Sequence, residues 1–186
     1  DHDDTPFVPE AYATELARVA DRAVDLDRDT TDPPGRLNAW TETVSDDRVR
    51  QLDAHLLADL MQMKRDVPAW RELAGLAVAR INVLVVVGEF EAAAFLVTAI
   101  RLQHEGHPTE GIRAAAAPIL GEVLNPGLMR HVASHLDGSD ASAIGAAKQF
   151  CHALGTAVIP LLAEVLSREE RGRPRQHLIA ILAAFG

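Results

Sequence analysis

The chain has 186 residues, 48% hydrophobic and 24% charged, a mixture ordinary for a soluble protein with one sizeable core. Its net charge of −9 is uneven, because residues 1–45 carry eleven acids against four arginines and leave the remainder nearly neutral. No apolar run reaches the roughly 18 residues of a membrane span, the opening Asp1–Phe7 has neither the basic start nor the apolar stretch of a signal peptide, and a single cysteine, Cys151, excludes an internal disulfide framework or a multi-cysteine zinc cluster. These features predict a cytoplasmic chain with no membrane insertion, whose acidic leader disfavours adhesion to nucleic acid or anionic lipid.

Residues 1–45 read as an acidic helix and loop. The helix runs from Pro9 to about Asp25 with the apolar set Tyr12, Leu16, Val19 and Ala23, and the Asp, Thr, Pro and Gly cluster of residues 27–40 has turn chemistry. This segment is expected to cap the rest of the chain or to link it to something else. Ser45 is placed to N-cap a helix whose stripe is Leu52, Leu56, Leu57, Leu60 and Met63. Asp66-Val67-Pro68 ends that helix and opens another, in which Pro68 suits the first turn and no breaker intervenes before Gly88. The valines at its end predict burial on both sides. Helical stretches then begin near Glu89, Pro108, Pro126, Asp140, Thr156 and Arg173, giving eight or nine helices and no convincing strand pair. The fold class is all-α, with residues 46–186 as the main domain.

Four apolar-glycine steps, Val87-Gly88, Leu120-Gly121, Leu154-Gly155 and Phe185-Gly186, are spaced by 31 to 34 residues, with two helical stretches between each pair. Glycine ends helices in the left-handed conformation, so the spacing predicts stacked antiparallel helix pairs, an α-solenoid, with Val87, Leu120, Leu154 and Phe185 buried at equivalent positions. From Asp140 to Gly186 the chain resembles HEAT-like helical repeats in their short bacterial form. The resemblance rests on Leu154-Gly155, Pro160, the polar turn Ser167–Gly172, Arg175, and then Leu178, Ile181, Leu182 and Phe185. Pro160 is expected to bend its helix. Upstream, residues 88–100 look at least as much like a tetratricopeptide helix, and Ile144 stands where Arg175 would align. Because the pattern is apolar up to Gly186, the array is expected to continue in a longer protein.

Catalytic constellations find little support. His131 and His135, four apart on a helix, share one face and could hold a metal, but a third ligand would have to be Asp137 or Asp140. His104 and His107 flank a glycine in a turn. Cys151 falls on the apolar set of Ile144, Ala147 and Leu154, so it reads as a buried, inert thiol. No nucleophile elbow or phosphate-binding glycine loop is present. The expectation is therefore no enzyme and no cofactor. In HEAT-like arrays the second helices line a concave face, which here would carry Arg80, Arg113, Lys148, His152, Arg173, Arg175 and Gln176 as a mildly basic ridge, opposite the acids Glu89, Glu91, Glu122, Glu164 and Glu169 of first helices. Arg113, Lys148, His152 and Arg175 are the candidates for binding a protein partner or another domain of the same polypeptide. The alternative, a nucleic-acid-binding protein of the HEAT-like DNA glycosylase type, requires a strongly positive groove with aromatic residues. The negative charge and 4% aromatic content oppose it.

Overall fold

A computed structural model describes residues 46–138 and 140–186, which belong to one unit, Asp46–Gly186. The readings made for residues 1–45, including the Pro9–Asp25 helix and the Ser45 cap, lie outside the described residues. Among the described residues the structure is all-α, with no strand. The helices are α1 (Asp46–Met63), α2 (Val67–Val87), α3 (Phe90–Gly106), α4 (Glu110–Val123), α5 (Pro126–His135), α6 (Ala141–Leu154), α7 (Ile159–Arg168) and α8 (Gly172–Ala183), with a 3-10 turn at Thr156–Val158. No single helix among them is long and apolar enough to cross a membrane.

Local chemistry sets the helix starts. Asp66 accepts the Ala69 N–H at 2.9 Å, Asn125 the Leu128 N–H at 2.8 Å and Asp140 the Ala143 N–H at 2.8 Å, each satisfying an otherwise orphaned donor of the first turn. Pro68 and Pro126 sit in first turns, where the missing N–H costs nothing. Pro160 does the same in α7, so it does not bend the helix; the 104° change of direction between α6 and the following segment comes at Gly155 and the 3-10 turn instead.

The glycine period has a narrower meaning than its regularity predicts. Gly88 (φ 85°) and Gly155 (φ 74°) do end α2 and α6 in a conformation that side chains avoid. Gly121, however, lies inside α4, and α8 ends at Ala183, short of Gly186. The apolar partners are not equivalent either. Val87 is 49% exposed, as are Val83 and Val86 to a similar degree, while Leu120, Leu154 and Phe185 are only partly buried. In α2 the inward positions of the last turn are Ile81, Leu84 and Val85; at about 100° per residue, the two valines that follow rotate back to solvent.

Helix α3 is the centre of the unit, packing against α1, α2, α4 and α6. Its small residues Ala92 and Ala93 are buried with Phe90, Leu96, Val97 and Ile100. Opposite them α6 buries Ala147, Phe150 and Cys151, and the Phe90 and Phe150 rings lie 6.2 Å apart. Helices two apart in the chain are neighbours in each half: α1 with α3 and α2 with α4, then α5 with α7 and α6 with α8. The halves meet through α2 with α5 and α3 with α6, and no comparable packing joins α3 to α5 or α4 to α6. The chain passes from α4 to α5 through Leu124 and Asn125 alone, so α4 stays beside α2 at one side of the core instead of receiving the next helix pair.

These positions predict unequal costs of truncation. Phe150→Ala removes a fully buried ring from the α3–α6 contact and is expected to lower the unfolding free energy by about 3–5 kcal/mol. Val87→Ala should cost below about 1 kcal/mol. Chemical denaturation measures both, and similar costs would contradict the packing described.

Candidate interaction face

Helices α3 and α6 leave between them a groove of about 410 Å³, lined by Ala94, Phe95, Thr98 and Arg101 from α3 and by Gln149, His152 and Ala153 from α6. Two stacked ring pairs flank it. Phe95 lies on His55 of α1 with ring centroids 4.2 Å apart, and His152 lies on Phe185, after α8, at 4.5 Å. Stacking fixes the flat faces of both pairs at the rim, and Phe95 remains 37% exposed. Arg101 bridges the groove, donating from Nη1 to the Ala153 carbonyl at 3.4 Å and pairing with Glu105 at 3.7 Å. Lys148 stands exposed one turn before His152 on the same side of α6. The face therefore combines an apolar floor, two aromatic edges and cationic groups at the rim.

Of the four residues expected to bind a partner, only His152 lines this groove, with Lys148 exposed one turn earlier on α6. Arg113 and Arg175 are each the fourth residue of their helices, α4 and α8, and both turn back onto the chain that precedes them. Arg113 Nη1 donates to the His107 carbonyl at 2.6 Å, and Arg175 Nη1 to the carbonyls of Leu166 at 3.0 Å and Glu169 at 3.3 Å. Both guanidinium groups close turns by donating to carbonyls at the C-terminal end of the preceding helix, where the Leu166 carbonyl also takes the Glu169 N–H at 3.3 Å. Ile144, the fourth residue of α6, stands where no such donor exists. The four candidates thus do not form one row, since α4 lies beside α2, away from α6. Phe95, His55, Arg101 and Gln149 went unnoticed in the sequence because an aromatic or arginine inside an amphipathic helix carries no mark of the groove it borders.

Three of the four paired histidines, His104, His107 and His135, also hold the fold. His135 Nε2 lies 2.9 Å from the Val86 carbonyl and its ring meets Phe90 edge-on, so the ring closes the C-terminal end of α2. A Cβ on Gly88 would come within 2.9 Å of that ring, a second reason for glycine there. His131, one turn earlier on α5, stays exposed. His107 is 4% exposed; its Nδ1 accepts the Thr109 N–H at 3.0 Å and its Nε2 reaches the Lys64 carbonyl at 3.1 Å, tying the α3–α4 turn to the α1–α2 turn. His104 Nδ1 donates to the Arg113 carbonyl at 2.9 Å. Among the described residues no group of three or more His, Cys, Asp or Glu side chains could hold a metal. Cys151 is fully buried and desolvation pushes its thiol up to about 12, so the nucleophilic thiolate is scarce at neutral pH.

A second recess, of about 310 Å³ between α5 and α7, is lined by Pro126, Arg130, Val165, Arg168, Glu169 and Arg171 among others. Arg171 is committed within it, bound to Glu169 at 2.8 Å and to Asp137 at 3.1 Å. The hydrogen bonds from the Arg171 side chain and backbone hold the Glu169 carboxyl down at about 2, and raise the Arg171 guanidinium in return. No family model matches the chain, and neither a curated protein nor a solved structure does.

Two outcomes follow from this geometry. Arg113→Ala is expected to destabilise the fold by roughly 1–3 kcal/mol through the open carbonyl it leaves, and the more exposed Arg175→Ala by less; denaturation that registers neither would remove them from the turns. The Glu169 pair stabilises the folded chain fully above its ordinary carboxylate value near 4.5, and that contribution is lost as pH falls towards about 2. Unfolding measured from pH 6 to 2 should therefore fall less steeply in Glu169→Gln than in the parent chain. Identical slopes would contradict it.

Proposed function

We propose that this chain is a non-catalytic helical-repeat scaffold whose α3–α6 face binds a segment of a protein partner. The observation that carries this reading is the groove with two stacked aromatic edges and a cationic rim, because exposed rings held rigid beside arginine are the kind of anchor on which interface energy concentrates. A HEAT-like repeat origin is supported by the packing of helices two apart within each half and by Arg113 and Arg175 recurring at the same helical position with the same task. A simple solenoid would also stack α4 on α6; the join between the halves departs from that, so the proposed array has a shifted register there. The glycosylase-like alternative gains little from this face, because a nucleic-acid groove needs clustered positive charge and the only cations here among the described residues are Arg101, which also pairs with Glu105, and Lys148.

A photo-reactive amino acid placed at Gln149 tests the reading in the native host, with Glu122 on α4 as the control position. A partner captured from Gln149 but not Glu122 is expected, with capture reduced about tenfold by Phe95→Ala or Lys148→Glu. Capture should also weaken as salt rises, because rim charges are screened within about 8 Å at physiological ionic strength. The melting temperature of both variants should stay close to the parent value. Capture from Gln149 that ignores both substitutions would move the site elsewhere.

A further inference from the structure

Eight of the eleven large apolar side chains that remain exposed among the described residues lie on α1 and α2. On α2 the outward stripe is Leu76, Ala79, Val83 and Val86, at spacings of three, four and three, which is the seam of a coiled coil. On α1 the stripe is Val49, Leu52, Leu56 and Met63, spaced by three, four and seven. The stripes adjoin, because Asp53 and Leu57 of α1 and Leu76, Ala79, Arg80 and Val83 of α2 line one shared groove of about 320 Å³. Its charges are internally matched by the Arg80–Asp53 ion pair. A soluble surface seldom leaves so contiguous an apolar patch without a use.

We propose that the outer face of α1 and α2 is a self-association surface, on which a second copy of this chain packs about a two-fold axis. The α2 seam is symmetric along its own length. Leu76 and Val86, and likewise Ala79 and Val83, are centred on the level of Ile81. Antiparallel apposition of two α2 helices at that level sets Leu76 of each copy against Val86 of the other and the small Ala79 against Val83, so every outward apolar residue meets an apolar partner. An isologous interface needs this self-complementarity. The α1 stripes then flank the paired α2 helices, completing a four-helix contact. The eight side chains are 47–75% exposed, and together they offer several hundred Å², approaching the roughly 800 Å² per partner of a standard interface. The internally neutralised Asp53–Arg80 pair places no unmatched like charges at the axis.

Sedimentation velocity on the full chain over a range from about 1 to 100 μM tests this directly. The parent chain is expected to populate a dimer. Leu76→Glu and Val83→Glu, each placing a carboxylate in the seam, should weaken association at least about tenfold while leaving helical content unchanged. Leu102→Glu, at an exposed aliphatic on α3 outside the face, should change it by less than about twofold. A parent chain that stays monomeric throughout overturns the proposal, whether or not its α1 and α2 amides are protected from exchange by another occupant. A dimer indifferent to both seam substitutions overturns it as well.

Discussion

The contact between α3 and α6 is the constraint on which the rest of this structure depends. The α3 face can bury Phe90, Leu96 and Ile100 because Ala92 and Ala93 beside them let neighbouring helices approach, and α6 answers with Ala147, Phe150 and Cys151. Close helix packing of this kind alternates large and small side chains until no void remains. Once α6 is seated on α3, α8 follows onto α6, and the chain between α4 and α6 must bring α5 onto α2. The groove proposed to bind a partner is the open upper edge of this same contact. Its floor is therefore held by the core, and its shape does not depend on a loop.

A second regularity concerns how the helices end. Carbonyls at C-terminal turns repeatedly accept from side chains: His107 from Arg113, Leu166 and Glu169 from Arg175, Val86 from His135, Ala153 from Arg101. Only two of the described helices end on a glycine of positive φ, and only Gly88 of these is left-handed helical, so these long polar side chains do much of the closing that glycine motifs do elsewhere. This accounts for the cationic and imidazole groups that invite a catalytic or metal-binding interpretation. A guanidinium donating to backbone carbonyls holds a turn, and its charge is then directed inward.

The exposed apolar stripes on α1 and α2 have a different origin from the groove. The groove is polar at its rim and takes its apolar floor from residues that also serve the core, whereas the stripes use side chains directed away from it. One chain thus presents two surfaces of unlike chemistry, one suited to a charged segment with an anchoring side chain and one suited to a helix of matching period. The proposed self-association and the proposed partner binding use different residues, so neither would exclude the other.

By itself the sequence determined the elements. The 3.6-residue spacing of apolar side chains, the capping groups Asp66, Asn125 and Asp140, and the prolines in first turns are local effects, and they place every described helix within a few residues of its observed bounds. The burial of Cys151 was legible for the same reason, from its position on an apolar face. Only the tertiary structure decided what these helices do to one another. Whether Val87 faces core or solvent, whether Arg113 reaches a partner or the His107 carbonyl, and whether α4 or α3 receives α6 all depend on contacts between residues far apart in the chain. Period and capping encode the direction of a side chain relative to its own helix axis. They do not encode which other helix, or open water, lies in that direction, and on that choice rest the groove between Phe95 and His152 and the bare seam of α2.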